Sequence, residues 1–354
     1  MSRRYRAVVR ILGALAVGLV LCMAILLAGA LSTIGVYRVP ATADRDPDLP
    51  TIPLAGYLFH GQTAGDPESP VIIVLHDGPG GDYRSLLPLL LLSDQYFLVF
   101  YDQRGSGLSP RVPPAQLNME QYLEDLDAFV ERFGTDRGVA LIGHGFGASL
   151  AAAYIGRHGE KVNGAVLVEP GFLTASVGNR FMGSTSGMMP RRLKKNDAAW
   201  LIRSVFTALH VNGPDGHERR DWFNARVEAM DSFENPRAPL FCGRRMDSAW
   251  MPRWRVGAMA SDVLTSSMYT EDGPIPPADL KRLARWDGEV LFLAGACNTV
   301  TGADLQRQHM KLFAGPALRI IPNAGHTLIG EQTELTLSAI REYLQREPRS
   351  LHFF

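Results

Sequence analysis

The chain has 354 residues, and its 36 basic and 36 acidic side chains give a formal net charge of zero. A neutral chain lacks the excess of positive charge that nucleic-acid binding requires, so we expect no nucleic-acid partner. The length suits one α/β domain with an insertion. Only three cysteines are present, and no Cys/His spacing is typical of a zinc site. We therefore expect no metal and no other cofactor.

The N-terminal segment is the first predicted element. Residues 1–10 are basic, and residues 11–36 contain no charged side chain. A helix over the second range would span about 39 Å, which exceeds the ~30 Å hydrocarbon core of a bilayer. The arginines before this predicted transmembrane helix indicate a cytoplasmic N-terminus and a periplasmic or extracellular remainder. The alternative is a signal peptide cleaved at residues 28–30 (Ala-Gly-Ala), which would leave a secreted protein.

After this segment the chain changes character. Residues 37–54 are rich in Pro, Asp and Thr and predict a linker. Short apolar runs then alternate with amphipathic segments, which favours an α/β fold with a mostly parallel sheet and flanking helices. The runs that predict the main strands are 71–75, 97–101, 139–142, 165–168, 290–294 and the start of 318–328.

Residues 139–155 (VALIGHGFGASLAAAYI) have the frame of a nucleophile elbow. An apolar strand runs into a Gly-rich turn and then into a helix of small residues. In the G-x-S-x-G elbow the middle residue is a serine on a strained strand-to-helix turn. The middle residue here is Gly145, which has no side chain to attack a substrate. These five residues alone fit an ordinary Gly-rich turn equally well.

Two further turns make the frame specific. HDGPGG (76–81) and DQRGSG (102–107) precede GHGFG (143–147) in the chain. In this order the three motifs resemble those of the proline iminopeptidase family, within the α/β-hydrolase superfamily. The resemblance extends from about residue 55 to 345. It implies an α/β-hydrolase core in two parts with a helical cap between them. The implied bounds are 55–171 and 286–347 for the core, 172–285 for the cap and 348–354 for a tail.

The resemblance also implies a set of site residues. His326 matches the family histidine, whereas Asn298 stands where the family usually has the triad aspartate. Backbone N–H groups around Asp77 and Gly78, together with the N–H of Phe146, would form the oxyanion hole. The triad would therefore retain its base, have a neutral residue at the acid position, and lack its nucleophile.

Glu169 is an alternative acid. It directly follows the predicted strand 165–168, and some α/β-hydrolases take their acid from that neighbouring strand. A pair of Glu169 and His326 would activate a water directly, with Gly145 leaving room for it. The other interpretation is a solvated loop carboxylate.

The cap segment differs in composition from the core. All five tryptophans lie in it or at its end, with several methionines, and they would either line an apolar pocket or form the cap's own core. Acidic cap residues would be suited to bind an amine: Glu218, Glu228, Asp231 and Glu234. We expect a small-molecule or peptide ligand in a capped pocket, and a protein partner stays open. An exported domain would also permit a disulfide between Cys242 and Cys297, which their spacing does not decide.

Two classes of function follow. The favoured hypothesis is a catalytically degenerate hydrolase, a pseudoenzyme that acts as a ligand-binding or scaffold protein at a membrane. The alternative is a hydrolase of small amides or esters, or an enzyme with another non-covalent reaction, that uses His326, Glu169 and water. Gly145 and Asn298 are also replacements by which such an enzyme would be inactivated deliberately, and the sequence leaves that open.

Overall fold

The computed structural model describes most of the chain. The described residues are 3–136, 138–185, 195–213, 215–228, 238–244, 249, 251–271, 273–276 and 280–345. The predicted tail at 348–354 and the cap acids Asp231 and Glu234 lie outside them, as do Trp250 and the first two residues of the basic N-terminal segment.

The N-terminal helix α1 covers Arg3–Ser32. Leucine and alanine, which are strong helix formers, dominate its sequence. From Arg10 to Ser32 it is long and apolar enough to be a membrane anchor or a signal sequence, and most of this stretch is exposed. The hydroxyl of Thr33 donates to the carbonyl oxygens of Gly29 and Ala30, which closes the last turn.

The main sheet confirms the predicted α/β fold. Among the described residues it has eight strands in the order β12-β11-β7-β6-β4-β5-β3-β2, and only the pairings of β2 with β3 and β3 with β5 are antiparallel. Strands covered by helices on both faces have continuous apolar sequences, as β4 (VIIVL) does. The strands are β2 Thr51–Leu54, β3 Tyr57–Ala64, β4 Val71–Leu75, β5 Phe97–Tyr101, β6 Val139–His144, β7 Val162–Val168, β11 Glu289–Gly295 and β12 Pro316–Ile321.

Residues 51–54, which are predicted as part of the linker, belong to this sheet. They form β2, the edge strand that pairs with β3. Pro53 is compatible with an edge strand because one side of such a strand needs no hydrogen-bond donors. The linker therefore ends before Thr51.

Two apolar layers cover the sheet. Side chains alternate along each strand, so Ile73 and Leu75 pack with one layer while Ile72 and Val74 pack with the other. The first layer is formed by helices α2 Met119–Phe133 and α3 Phe146–His158. The second is formed by the 3-10 helix Tyr83–Leu92 and by α10 Leu328–Glu331 and α11 Thr333–Leu344. Helix α9 Ala303–Met310 contacts β11 and β12.

The segment predicted as a cap is mainly helical where it is described. Arg255 joins it to the linker, because its guanidinium donates to Asp215, to Asp221 and to the carbonyl oxygen of Pro40. The elements are α4 Ala175–Thr185, α5 Lys195–Ala208, α6 Glu218–Glu228, α7 Ala258–Ser267 and α8 Leu280–Leu283, with the short strands β1 Tyr37–Arg38 paired to β8 Val211–Asn212, and β9 Tyr269–Thr270 paired to β10 Gly273–Pro274.

Candidate active site

The elbow is present as the sequence predicts. Strand β6 ends at His144, α3 begins at Phe146, and Gly145 between them has φ 52° and ψ −112°. A Cβ on Gly143 would collide with the backbone of Gly147, and a Cβ on Gly147 would collide with the end of β4. The two flanking glycines therefore allow strand and helix to pack against each other at this turn.

The space above Gly145 is filled by the side chain of Asp77. A Cβ added to Gly145 would overlap this carboxylate. Asp77 Oδ1 accepts a hydrogen bond from the backbone N–H of Phe146 at 3.0 Å. This carboxylate corrects two expectations, because it fills the space that was left to a water and binds the N–H of Phe146 that was assigned to the oxyanion hole. The role of the backbone N–H groups around Asp77 and Gly78 stays a prediction.

His326 lies between two carboxylates. It follows β12, and its Nδ1 contacts Glu169 Oε2 at 2.6 Å, while its Nε2 contacts Asp77 Oδ2 at 3.2 Å. Its backbone N–H donates to the carbonyl oxygen of Leu240 in the cap segment at 2.7 Å. The side chains of Glu169, His326 and Asp77 form one hydrogen-bonded network, in which His326 is the central member.

Glu169 is a buried member of this network and not a solvated loop carboxylate. It is fully buried and directly follows β7, with a φ of 47° that is unusual for a residue other than glycine. Its oxygens accept hydrogen bonds from the N–H of Gly295 at 2.8 Å, from Asn298 Nδ2 at 2.5 Å and from the hydroxyl of Thr301 at 3.3 Å. The carboxylate next to the imidazole thus comes from β7.

Asn298, at the family's acid position, supports Glu169. Its Nδ2 donates to Glu169 and to Thr301 Oγ1, and its Oδ1 accepts from the backbone N–H groups of Val300 and Thr301. All four hydrogen bonds of its side chain therefore hold Glu169 and the loop after β11. Thr301 belongs to no motif that marks it in the sequence, yet its hydroxyl also lies 3.3 Å from His326 Nδ1.

Within this network, His326 and Asp77 each stabilise the charged form of the other. Burial alone would lower the pKa of His326, but its hydrogen bonds to Asp77 and Glu169 and their negative charges raise it to about 10. Burial alone would raise the pKa of Asp77, but the hydrogen bond and charge of His326 outweigh it and leave that pKa well below its ordinary value. Burial raises the pKa of Glu169, and His326 offsets part of that effect. At neutral pH the resting state is therefore an imidazolium beside an ionised Asp77.

His144 completes a group that could hold a cation by distance alone. One ligand atom from each of Asp77, His144 and His326 lies within 4.8 Å of the others. His144 is buried, its Nε2 contacts the carbonyl oxygen of His326 at 2.8 Å, and burial followed by the charge of His326 lowers its pKa to about 4. Both ring nitrogens of His326 already contact carboxylates, so a cation would have to displace Asp77 from His326. The absence of a metal stays a prediction.

A cavity of about 250 Å³ opens onto the network of Asp77, His326 and Glu169. Asp77, Gly145 and His326 lie in its wall together with Phe181, Phe241 and Met251. None of the four described tryptophans lines it: Trp222, Trp254 and Trp286 pack against Tyr37, Tyr83 and Phe313 respectively, and the Arg226 guanidinium lies over the ring of Trp200. The described tryptophans thus serve in packing, whereas Phe181 and Phe241 of the cap segment line the cavity, whose size suits a small ligand.

A disulfide joins the cavity wall to the loop that holds Glu169. Cys242 directly follows Phe241 of the wall, and Cys297 directly precedes Asn298. Their Cα atoms are 4.9 Å apart. The bond fixes the cap segment to the loop after β11.

Residues 72–339 match the family model described as "Alpha/beta hydrolase family". The chain belongs to this family. A proline iminopeptidase of Lactobacillus helveticus is 24% identical over 306 residues, which are 83% of this chain and 97% of that protein. The proline iminopeptidase PfmaB of Pestalotiopsis fici is 32% identical over 109 residues, which are 29% of this chain and 37% of that protein.

Several of these similarities are local. The matched segments span only 29–37% of the length of four curated proline iminopeptidases. Among solved structures, a proline iminopeptidase-related protein from Thermus thermophilus has a TM-score of 0.57 and 22% identity, with 84% of this chain and 96% of that chain covered. The structural similarity shows the α/β-hydrolase fold, and the proline iminopeptidase-like relatives share it.

Proposed function

We propose that this protein is a small-molecule hydrolase in which Glu169 is the acid and His326 the base, with no serine involved. The contact of 2.6 Å between Glu169 and His326 supports this proposal most directly. A carboxylate on Nδ1 orients the imidazole and stabilises its charged form, which is what a triad acid does. The second ring nitrogen then points at the cavity base, where Asp77 lies.

The neutral Asn298 favours a relocated acid over a lost one. Its Nδ2 lies 2.5 Å from Glu169 Oε2, so an aspartate at 298 would set two carboxylates against each other. Like charges at this distance do not both ionise readily. An amide instead donates a hydrogen bond to Glu169. The pair Glu169 and Asn298 is therefore internally consistent, as an intact site requires.

Burial of Glu169 supports the same conclusion. Removing a carboxylate from water costs several kcal/mol, and pairing offsets this cost only when the remaining oxygens are also hydrogen-bonded. Gly295, Asn298, Thr301 and His326 supply those partners. A protein that used only the cavity walls for binding would not need this arrangement.

The second candidate is the catalytically degenerate, ligand-binding protein. One observation favours it: the carboxylate of Asp77 occupies both the nucleophile space and the N–H of Phe146. Serine-type chemistry is closed to the unmodified protein. In that case the cavity would bind a small molecule or a peptide without turning it over.

The two candidates differ in one experiment. The full-length protein, purified in detergent, is assayed with aminoacyl anilides, short acyl esters and small alkyl halides, with and without a chelator. Hydrolysis of one class that falls about 10³–10⁴-fold in His326→Ala and Glu169→Gln supports the hydrolase. His158→Ala, at the end of α3, is the matched control and should retain the activity. The binding protein is supported if no compound of the panel is turned over, but calorimetry detects binding of one of them and Phe241→Ala abolishes that binding.

We further propose that α1 anchors the protein, with the hydrolase domain on the periplasmic or extracellular side. The exposed apolar surface of α1 and the arginines in its first turns favour an anchor in this orientation. A disulfide is typical of proteins outside the cytoplasm. The end of α1 also contacts α5, and His210 Nε2, just after α5, contacts the carbonyl oxygen of Ala30 at 2.8 Å. Separation of membrane and soluble fractions, with protease added to intact cells, tests both points.

A further inference from the structure

We propose that Asp77 is a covalent nucleophile, transferred from the elbow to the preceding turn, and that it attacks an electrophilic sp3 carbon whose leaving group departs as an anion. This inference rests on the proposed hydrolase function. It adds the residue that reacts and the class of substrate.

The position of the carboxylate carries the inference. A side chain at residue 145 would occupy the same space as the Asp77 carboxylate, so the glycine at the elbow and the aspartate in the turn are complementary. Asp77 Oδ1 is held by the N–H of Phe146 at 3.0 Å, and Oδ2 lies 3.2 Å from His326 Nε2. The side chain is 22% exposed, and it lies in the cavity wall. Asp77 is thus the charged oxygen nucleophile within reach of both the base and a bound ligand.

The occupied N–H of Phe146 selects the substrate class. Attack on an acyl carbon creates a negative charge on the substrate oxygen, which needs such a donor. Here the donor already binds Asp77 Oδ1. Displacement at an sp3 carbon creates no oxyanion on the reacting carbon, so this step does not need the donor. The same N–H is then well placed for the second step, when a negative charge develops on Oδ1 itself.

The first step consumes the charge of Asp77. A lone pair of Oδ2 forms the O–C bond to the substrate alkyl group R, and the C–X bond breaks with its electron pair leaving on X as an anion. Arg253 also lines the cavity, and its positive charge favours a departing anion. Esterified Asp77 no longer stabilises the imidazolium, so His326 releases its proton to solvent.

The second step restores the resting state. Neutral His326 takes a proton from water, and the hydroxide adds to Cγ of Asp77, with the tetrahedral charge on Oδ1 held by the N–H of Phe146. The bond from Cγ to Oδ2 breaks, and the alkoxide leaves as the alcohol with the proton of His326. The new carboxyl group gives its proton back to His326. The net reaction is RX plus water to ROH, X⁻ and a proton.

Isotope labelling in a single turnover tests this path. The full-length protein, in excess over 1-bromobutane, is placed in H2(18)O, and the product and the peptide that contains Asp77 are analysed by mass spectrometry. We expect unlabelled butanol in the first turnover and one 18O atom in Asp77. Butanol that carries 18O with an unlabelled Asp77 would mean direct attack by water and would overturn the inference. Turnover restricted to acyl substrates would overturn it as well.

Trapping separates failure of the inference from failure of the hydrolase proposal. His326→Gln cannot activate water, so 1-bromobutane should leave a stoichiometric butyl ester on Asp77. Asp77→Asn should block the adduct, and a second change at the exposed Asp304 (Asp304→Asn, in the His326→Gln background) should leave it unchanged. If His326→Gln forms the adduct on Asp77 but the unmodified protein turns nothing over, the role of Asp77 as nucleophile stands and the hydrolase proposal is refuted. Turnover by the unmodified protein without an adduct in His326→Gln would refute the nucleophile alone.

Discussion

Asp77 and Gly145 compete for one space, and this predicts a strong coupling between two substitutions. In Gly145→Ser the new Cβ would overlap the Asp77 carboxylate, in a backbone conformation with a φ of 52°. Conformational strain of a non-glycine residue in this region costs about 1–2 kcal/mol, and forced overlap in a packed site adds about 1–3 kcal/mol. We therefore expect Gly145→Ser to lose about 2–5 kcal/mol of unfolding free energy.

The double variant Asp77→Gly/Gly145→Ser should recover the overlap part of that loss. Removal of the carboxylate opens the space, so the coupling free energy between the two positions should be about 1–3 kcal/mol. Gly56→Ser is the matched control, since Gly56 also has a positive φ, of 74°, but has open space where a Cβ would lie. It should lose only the strain part.

The assay is urea unfolding followed by circular dichroism, with all four members of the cycle measured under the same conditions. The m-values should agree among them, so that the shift in midpoint measures stability. A loss in Gly145→Ser no greater than in Gly56→Ser, together with additive effects in the double variant, would refute the claim that Asp77 fills the nucleophile space.

The remaining predictions concern the same site and its support. In the double variant Asp77→Gly/Gly145→Ser, the N–H of Phe146 is released and a serine faces His326. This variant should therefore hydrolyse acyl esters that the unmodified protein leaves intact. Equal esterase rates in the two proteins would contradict the reasoning. Asn298→Asp places a second carboxylate against Glu169 and should lower the thermal midpoint without raising any activity, whereas a gain of activity would show that residue 298 is the acid. The pKa of His326 is raised from 6.5 to about 10, so the stability that its charged form contributes is complete below pH 6.5 and is lost as the pH rises through about 10. The midpoint of urea unfolding should therefore decrease between these pH values. His326→Gln should remove this decline. Reduction of the Cys242–Cys297 disulfide should cost about 2–4 kcal/mol and raise KM more than it lowers kcat, because the bond holds the cavity wall; Cys242→Ser should reproduce both effects.

The sequence by itself determined the fold and the place of the site. The continuous apolar runs of β4, β6, β7 and β11 predict a parallel sheet covered on both faces, because such strands have no polar face to expose. Gly143 and Gly147 predict the close turn at the elbow, and His326 is recognisable from its motif. Each of these signals is contained within a few consecutive residues, so periodicity and turn chemistry are enough to detect it.

Only the tertiary structure decided which side chains meet there. Asp77 and Phe146 are 69 residues apart, and Glu169 and Asn298 are 129 residues apart. Strand β4 lies beside β6, which brings the turn after β4 next to Gly145. Strand β7 lies beside β11, which brings Glu169 next to Asn298. The strand order sets these contacts, and no local pattern encodes it. A missing serine therefore suggested a lost site, whereas the sheet brings two carboxylates to the same histidine.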